Sequence, residues 1–519
     1  MTRSRRPLTR YALAPLLVSL PLVAAGAPSV AQVPLVPVAS ATSTAGPDDD
    51  AVTSEAPGDA AAETTATDVR PRIATPVVPL GAVAQGPVPE RAALTTRIAD
   101  ELGSRWLGDE DRRAITVRDA LTGQSLADRG ATRLVTPAST TKLLSAAAIV
   151  TALDGETTFT TRVVAGAEPG EVVVVAGGDM LLADGQGNPE AVAGRAGIAD
   201  LAAQTAEALA EGSGPAADDA AATSAAPGAA DTSEEPISVS LDLSHVAGPD
   251  VLETWTPSWV SEGYTGRIVQ LGRSGDRALP FDPSPADPEQ QVARVFREAL
   301  AEEGVEVVDA DDPQAEAAEV QAPEDAVQLA TVESAAARDV LALALATSDN
   351  AMVEQLARQA AVADGEEPDQ ESVMAWIVST MEEDYGLDMT GAEIADASGL
   401  SDGTRLSVGM IADTMVAGAD GSHPALQEVL AAGGLPIAGY TGTLATRFHL
   451  EVHEPAIGNA RAKTGSLPGV TSLAGTVVTE DGRLLVYAIT ADAIEDGGAT
   501  LEARSVLDEI VAELARCGC

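Results

Sequence analysis

The chain has 519 residues and a formal net charge of −48, from 79 acidic side chains against 31 basic ones. Such an excess of negative charge argues against a nucleic-acid-binding surface, which needs clustered Lys and Arg. Two cysteines and four histidines are too few for a disulfide framework or a structural zinc set. Apolar residues make up 45% of the chain, so this length has room for two or three domains with packed cores.

The N-terminus has the three parts of an export signal. Four arginines precede residue 11, residues 11–26 are apolar, and small residues lead up to Ala31. The apolar stretch is short and contains two prolines, which disfavours a membrane span. We therefore predict a signal peptide over residues 1–31, with an uncleaved anchor as the alternative. Residues 32–89 are rich in Ala, Pro and Thr without an apolar period, which predicts a disordered linker.

Ordered structure is predicted from residue 90, in two parts separated by an insertion. Residues 90–160 start with an amphipathic helix, continue with a strand around 115–117 and end with an apolar helix over about 140–153. From 161 to 330 the pattern changes to short strands, which predicts inserted domains. Within them, residues 211–236 are a low-complexity acidic stretch that indicates a flexible surface loop.

The second part, residues 331–516, begins with helical patterns at 335–346 and after Asn350. Near its end three strands are predicted, followed by a final amphipathic helix; the strands span 462–466, 472–479 and 484–490. A five-stranded antiparallel sheet flanked by the N- and C-terminal helices would use both ends of the chain. The two parts would then form one domain around the insertion.

Lysine is rare in this chain and marks two motifs. Only Lys142 and Lys463 are lysine, and the other 29 basic side chains are arginine. Arginine cannot give up its proton in a protein, whereas a buried lysine can become neutral and act as a base. Lys142 follows Ser139 by three residues, so the two side chains share a helix face. A neutral amine there can take the proton of the Ser139 hydroxyl during nucleophilic attack.

The second lysine opens the motif Lys463-Thr464-Gly465 on a predicted edge strand. Thr464 offers a hydroxyl to a substrate carboxylate, and Gly465 would let a substrate backbone come close. Lys463 would attract the same carboxylate and depress the pKa of Lys142 by charge repulsion.

Another motif, Ser348-Asp349-Asn350, is the second of the three in chain order; it lies at the end of a predicted helix and holds one of only three asparagines in the chain. Ser348 would pass a proton to the leaving amine, and Asn350 would hold the substrate amide. The motifs S-x-x-K, S-x-N and K-T-G in this order are the set found in penicillin-recognising serine enzymes.

With these motifs the chain resembles the serine D-alanyl-D-alanine carboxypeptidase/endopeptidase family, the low-molecular-mass class C penicillin-binding proteins. The resemblance runs from about residue 90 to 515 and includes the segments 177–179, 396–400 and 442–444. The long gap between Ser139 and Ser348 is typical of this family, whose extra domains are inserted there. It implies an α+β fold: a penicillin-binding, β-lactamase-like transpeptidase domain with a five-stranded antiparallel sheet, an α-helical subdomain and strand-rich inserted domains.

The resemblance also implies a role for each motif residue. Ser139 would be the acylated nucleophile and Lys142 its base, while Ser348 and Lys463 would relay protons and set the charge. Four residues would bind substrate: Asn350, Thr464, Gly465 and Ser466. The backbone N–H groups of Ser139 and Ser466 would form the oxyanion hole. No metal or organic cofactor is implied.

We therefore expect a cell-surface serine D-Ala-D-Ala carboxypeptidase, in the cell wall or at the outer face of the cytoplasmic membrane. Its partners would be peptidoglycan stem peptides ending in D-Ala-D-Ala, which it would trim during cell-wall maturation, and β-lactam antibiotics, which would acylate it. Endopeptidase action on cross-bridges is a further expectation. Nucleic acid is not expected as a partner, and the sequence predicts no oligomeric state.

Two alternatives stay open at the level of sequence. A class A β-lactamase has the same three motifs, but its first two lie far closer together and it needs a separate Glu for deacylation. A non-catalytic wall-binding or penicillin-sensing protein is the other alternative, against which the intact motifs argue.

Overall fold

The computed structural model describes residues 86–212, 236–494 and 499–518. The predicted signal peptide, nearly all of the predicted linker and most of the predicted acidic loop lie outside the described residues. None of the helices in the described ranges is both long and apolar enough to cross a membrane.

The described residues form α-helices, strands and short 3-10 turns. The strands are β1 (Arg113–Asp119), β2 (Ser125–Arg129), β3 (Leu134–Val135), β4 (Thr160–Ala165), β5 (Glu171–Val175), β6 (Ser238–Asp242), β7 (Ala318–Glu319), β8 (Gln328–Glu333), β9 (Leu406–Ser407), β10 (Arg461–Leu467), β11 (Val470–Val478) and β12 (Leu484–Ala491). The α-helices are α1 (Arg91–Arg97), α2 (Ala99–Leu102), α3 (Lys142–Ala152), α4 (Ile198–Ala210), α5 (Pro257–Ser261), α6 (Pro288–Glu302), α7 (Ala337–Thr347), α8 (Asn350–Ala363), α9 (Gln370–Glu383), α10 (Val408–Ala419), α11 (Pro424–Val429) and α12 (Ala499–Ala515).

Both ends of the ordered chain build one antiparallel sheet, which we call the main sheet. Its strand order is β10-β11-β12-β1-β2, so the early strand β1 pairs with the late strand β12, from Arg113 opposite Ala491 to Asp119 opposite Leu485. Side chains alternate between the two faces of a strand. In β12, Val486 and Ala488 accordingly enter one core with α3 and α10, and Tyr487 enters another with α1 and α12.

The helical layer on one face of the main sheet surrounds α3. Residues 142–150 of this helix are buried on every side, against α8, α9 and α10. A helix that is apolar all round lies in the interior of a domain. Because α3 begins at Lys142, this packing fixes the position of the first lysine inside the protein.

The inserted segment, residues 161–330, forms a second sheet of order β7-β6-β5-β4-β8, which we call the inserted sheet. β4 pairs antiparallel with β5 and β8, whereas β5–β6 and β6–β7 are parallel. Helices α4 and α6 close a separate core against it. The first and last strands of the insertion along the chain, β4 and β8, pair at Thr160 and Glu333. The chain therefore leaves and re-enters the main domain at one point. The insertion therefore leaves the main sheet intact.

The α+β fold class is confirmed: a five-stranded antiparallel sheet flanked by helices, a helical layer, and an inserted sheet between the first two motifs. One local difference concerns the helix that was expected over about 140–153. The α-helix starts only at Lys142, and a 3-10 turn over Ala138–Thr141 precedes it.

Candidate active site

Ser139 lies in the 3-10 turn before α3, half-buried and held from two sides. The hydroxyls of Thr140 and Thr141 donate to the carbonyls of Pro137 and Ala138 at 2.7 and 2.8 Å. Such side-chain bonds compete with regular helical ones, which accounts for the delayed start of the α-helix. Ala138 has a φ of 49°, a left-handed conformation that is costly for a residue with a Cβ. The strain is localised beside the candidate nucleophile.

Lys142 Nζ lies below Ser139 and contacts three oxygen atoms. It is 3.1 Å from Ser139 Oγ, 2.5 Å from Asn350 Oδ1 and 2.7 Å from the carbonyl oxygen of Ser398. The amide oxygen and the carbonyl only accept hydrogen bonds. A neutral amine has two N–H donors and one lone pair, so these two acceptors take both donors. The lone pair then faces the Ser139 hydroxyl, as a general base requires.

Burial determines the protonation of both lysines. Lys142 is fully buried, and desolvation lowers its pKa to about 8, although Asp396, Glu354 and Asp349 act to raise it. Lys463 is also fully buried, and desolvation together with the charge of Lys142 holds its pKa well below the usual range. The largest cause of the lowered pKa of Lys142 is its own burial, and the repulsion expected between the two lysines lowers the pKa of Lys463.

Ser348 and Asn350 flank the junction of α7 and α8. Ser348 ends α7 in the left-handed conformation, with φ of 60°. Asp349 caps α8, since its carboxylate accepts the backbone N–H of Met352 at 2.9 Å. This sharp junction leaves Ser348 at the surface of the cleft and directs Asn350 inward, toward Lys142.

The third motif lies on β10, at the edge of the main sheet. Lys463 Nζ donates to Ser348 Oγ at 2.8 Å, which links the second and third motifs. Thr464 Oγ1 contacts Thr443 Oγ1 at 2.9 Å. A proton can thus pass between Lys463 and Ser348, while two threonine hydroxyls stand side by side on the open edge.

Gly465 has a packing role that the sequence did not indicate. A Cβ built on it would come within 2.7 Å of the Pro137 carbonyl and still closer to Ser472 Oγ. The glycine therefore allows β10 to pack against the turn that carries Ser139, and it is buried. It is not among the residues that line the cleft, and the approach of a substrate backbone at Gly465 stays a prediction.

A cleft of about 840 Å³ opens above these motifs. Five of the predicted site residues line it: Ser139, Ser348, Asn350, Thr464 and Ser466. The two lysines lie beneath the lining and reach the cleft through the serine hydroxyls. A volume of this size accommodates a peptide of several residues.

Two buried carboxylates fix the loop that presents the Ser398 carbonyl. Glu354 accepts the backbone N–H groups of Ala397 and Ser398 at 3.2 and 2.7 Å. Asp396 accepts those of Gly399, Leu400 and Ser401 at 2.5, 3.1 and 2.7 Å. The segment 396–400 has no predicted role, because a backbone carbonyl that accepts a hydrogen bond leaves no side-chain signature in the sequence.

The inserted segment reaches the same site at the Ser348 motif. The carbonyl of Tyr264 accepts Asn350 Nδ2 at 2.8 Å. Arg277 forms a bidentate ion pair with Asp349, with distances of 2.8 and 2.7 Å. The side chains of this pair are 18% and 11% exposed. Neither contact was predicted, since no motif links a residue of the insertion to the catalytic serines.

Among the described residues, no group of three His, Cys, Asp or Glu side chains is arranged to hold a metal ion. The chemistry available from the side chains present is nucleophilic attack by Ser139, proton transfer through Lys142 and Ser348, and binding of polar groups along β10.

Comparison with known proteins agrees with this arrangement. The model of the D-Ala-D-Ala carboxypeptidase 3 (S13) family matches residues 97–269 and 277–514. A carboxypeptidase of Mycobacterium tuberculosis is 31% identical over 455 residues, which cover 86% of this chain and 89% of that protein. The carboxypeptidase DacB of Mycolicibacterium smegmatis is 31% identical over 436 residues, 83% and 86% of the two chains.

The fold is also found among solved structures. Penicillin-binding protein 4 of Haemophilus influenzae superposes with a TM-score of 0.59 at 18% identity, over 80% of this chain and 98% of that one. The family match spans the main domain and most of the inserted segment, and it includes all three motifs. The chain therefore belongs to the D-Ala-D-Ala carboxypeptidase 3 (S13) family of serine peptidases.

Proposed function

We propose that this D-Ala-D-Ala carboxypeptidase acts through an acyl-enzyme on Ser139, with Lys142 as the base. The observation that carries the proposal is the environment of Lys142 Nζ. Two fixed acceptors, Asn350 Oδ1 and the Ser398 carbonyl, lie at 2.5 and 2.7 Å and leave the lone pair for Ser139. Burial keeps this amine partly neutral near physiological pH, because its pKa is lowered to about 8.

The reaction follows from these positions. Lys142 takes the Ser139 hydroxyl proton while Oγ bonds to the carbonyl carbon of the penultimate D-Ala. The backbone N–H groups of Ser139 and Ser466, residues that line the cleft, would stabilise the oxyanion. As the C–N bond breaks, the leaving amine takes the Ser348 hydroxyl proton, which a protonated Lys463 replaces, and the proton that Lys142 took from Ser139 makes up the one that Lys463 lost. Free D-alanine departs, and water then hydrolyses the Ser139 ester.

The same nucleophile would open a β-lactam ring, which presents a strained amide to Ser139. The three motifs support β-lactams as acylating partners. Endopeptidase action on peptidoglycan cross-bridges is compatible with a cleft of about 840 Å³, which exceeds the needs of a dipeptide end.

The basic, apolar and small-residue parts of residues 1–31 support export. Peptidoglycan lies outside the cytoplasmic membrane, so an exported protein would meet its substrate there. We accordingly propose a location in the cell wall or at the outer face of that membrane.

Intact-mass measurement after exposure to benzylpenicillin tests the nucleophile. A single penicilloyl adduct is expected on the wild-type protein and none on Ser139→Ala. Release of D-alanine from a peptide ending in D-Ala-D-Ala, measured on the same samples, tests the activity. Rapid hydrolysis of penicillin without an adduct would indicate a β-lactamase. No adduct, intact penicillin and no D-alanine would indicate a non-catalytic protein.

A further inference from the structure

The cleft has an apolar rim on the side of the inserted segment that the mechanism above does not use. Tyr264, Leu279 and Pro280 line the cleft together with Ser139, and Phe281 follows them in the chain. Tyr264 is 42% exposed, Leu279 60% and Phe281 80%, which makes Phe281 the most exposed large apolar side chain of the described ranges. We call Tyr264, Leu279, Pro280 and Phe281 the apolar rim. A contiguous exposed apolar patch at the mouth of a cleft marks a binding surface.

A strained turn presents the rim to solvent. The backbone N–H of Asp282 donates to the Leu279 carbonyl at 2.7 Å, and the N–H of Leu279 donates to the Asp282 carbonyl at 2.8 Å. Phe281 is the third residue of this four-residue turn and has a φ of 68°, where glycine or asparagine is usual. Because the ring is 80% exposed, its burial does not offset this conformational cost. An exposed aromatic ring at a strained position points to a functional role.

Backbone contacts join the turn to the segment that reaches the catalytic motif. The N–H of Phe281 donates to the Glu262 carbonyl at 2.6 Å. The rings of Tyr264 and Phe281 meet edge to face, with their centroids 5.9 Å apart. The Tyr264 carbonyl in turn accepts Asn350 Nδ2 at 2.8 Å. The rim is therefore a preformed surface that is attached to the active site.

The polar residues next to the rim are acidic. Glu262 lines the cleft and Asp282 ends the turn, and both are exposed. Carboxylates accept hydrogen bonds from hydroxyl groups, and they repel anionic lipid surfaces. The face of an aromatic ring carries partial negative charge and attracts C–H groups. An aromatic ring beside carboxylates therefore matches a neutral sugar, which has an apolar C–H face and hydroxyl groups around its edge.

The substrate carries such a sugar at the end remote from the scissile bond, because a stem peptide is joined to the glycan strand at its N-terminus. In a stem peptide of about five residues, about four precede the scissile bond, and they span at most about 14 Å when extended. These residues pass Asn350, which is predicted to hold the substrate amide and is bonded to Tyr264 of the rim. The sugar then lies toward the rim and away from Ser139.

We propose that the apolar rim binds a sugar of the peptidoglycan glycan strand, so that the enzyme prefers stem peptides still attached to the glycan over free peptides. This deepens the proposed function and rests on it. Phe281 stacks on the C–H face of the sugar, and Tyr264 supports the ring of Phe281 from the side. Glu262 and Asp282 accept hydrogen bonds from the sugar hydroxyls.

Two substrates that differ only in the sugar test this inference. One is a free pentapeptide ending in D-Ala-D-Ala, and the other is the same pentapeptide linked to the disaccharide of N-acetylglucosamine and N-acetylmuramic acid. Release of D-alanine gives kcat/KM for each, and their ratio, linked over free, is the readout. The ratio should exceed one in the wild type and fall about three- to tenfold in Phe281→Gly, the level of one aromatic contact. Glycine adopts a φ of 68° without strain, so this variant keeps the turn.

Three further variants are controls. Phe281→Tyr keeps the aromatic face and should keep the ratio, whereas Phe281→Leu keeps only an apolar side chain and should lower the ratio nearly as far as Phe281→Gly. Tyr440 is an aromatic residue, 67% exposed, that is not among the residues lining the cleft. Tyr440→Ala should therefore leave the ratio at the wild-type value. The ratio is independent of how much enzyme is folded, because both substrates are measured on one sample.

A wild-type ratio of one, or a ratio that Phe281→Gly leaves unchanged, overturns the inference. A ratio that falls in Phe281→Gly but stays high in Phe281→Leu also overturns it, since it indicates an apolar contact with peptide or protein instead of stacking on a sugar. Failure of the proposed function gives a different result, because the wild type would then release D-alanine from neither substrate. In that case the affinities of Ser139→Ala for the two compounds, with and without the Phe281 substitutions, replace kcat/KM. Isothermal titration calorimetry measures them, and the same ratios decide.

Discussion

The main sheet and the inserted sheet have five strands each, but they are built differently. The main sheet is antiparallel throughout and has helices on both faces, so that all eight residues of β12 are buried. The inserted sheet mixes parallel and antiparallel pairs, and α4 and α6 close its core. The two sheets share no core cluster, although the chain enters and leaves the insertion through paired strands.

The inserted segment reaches the site through residues outside the inserted sheet, and one of them, Trp255, packs in the same core cluster as α3. Lys142 is oriented by Asn350 and by the Ser398 carbonyl. Tyr264 and Arg277 of the inserted segment contact the Ser348-Asp349-Asn350 motif. Trp255, also of the inserted segment, contacts the loop that presents the Ser398 carbonyl, because its Nε1 donates to Asp396 at 2.8 Å. The main domain supplies the reacting groups, and the inserted segment supports both acceptors that orient the base.

The largest effect is expected inside the main domain, from Lys142→Arg. Arginine keeps the positive charge but cannot become neutral, so it cannot take the Ser139 proton. The rate of acylation by benzylpenicillin should fall by about 10²- to 10⁴-fold, the usual contribution of a general base. Time-resolved intact-mass measurement of the penicilloyl adduct gives this rate.

A permanently charged group at this fully buried position also costs stability, so thermal unfolding must show that the variant is folded at the assay temperature. A folded Lys142→Arg protein that acylates within tenfold of the wild type would remove Lys142 from the role of base. The reaction would then need another proton acceptor for Ser139.

The second largest effect is expected from Arg277→Met, which tests whether the inserted segment helps to set the pKa of Lys142. Removing one partner of a mostly buried ion pair should lower the free energy of unfolding by about 3 kcal/mol. Asp349 then lacks its cation, and its charge raises the pKa of Lys142 above about 8. Because the base acts when neutral, the acidic limb of the pH profile for acylation should move to higher pH. The other titratable groups facing Lys142 are unchanged: Asp396, Lys463 and Glu354, whose own pKa burial raises to about 8.

Asp349→Asn provides the control, since it removes the charge that Arg277 neutralises. In that background, Arg277→Met should leave the midpoint of the acidic limb where it is, even though stability falls. If Arg277→Met alone destabilises the protein without moving the midpoint, the ion pair is only a structural link between the two regions.

The difference between the regions also decides what the sequence could predict. The alternating strands of the main sheet and the three motifs have local signatures: a period of two, and serine and lysine at fixed spacings. From these the fold class and the convergence of Ser139, Lys142, Ser348 and Lys463 could be predicted. The close packing of Gly465 against the turn at Pro137 could not be predicted, because it depends on how β10 packs in the folded protein.

The supporting contacts lack such signatures. Tyr264 acts through its backbone carbonyl, Asp396 through backbone N–H groups, and Arg277 through a partner 72 positions away. Each depends on tertiary packing between segments, to which local periodicity is blind. The burial that lowers the pKa of Lys142 is likewise a property of the folded core.

The smallest effect is expected from Trp255→Phe, which tests whether the inserted segment holds the loop that presents the Ser398 carbonyl. Trp255→Phe removes one of five hydrogen bonds to Asp396, so the other four should keep the loop close to its place. We expect a loss of about 1–2 kcal/mol in the free energy of unfolding and a two- to tenfold slower acylation, at about the level of one hydrogen bond.

Trp376→Phe is the matched control for Trp255→Phe. The Trp376 indole donates to Asp364 at 2.8 Å, and Trp376 is about as buried, 4% exposed against 3% for Trp255. It should lose similar stability without slower acylation, because Asp364 does not hold the Ser398 loop. Equal acylation rates in the two variants would show that the contact with the inserted segment stabilises the fold but does not orient the base.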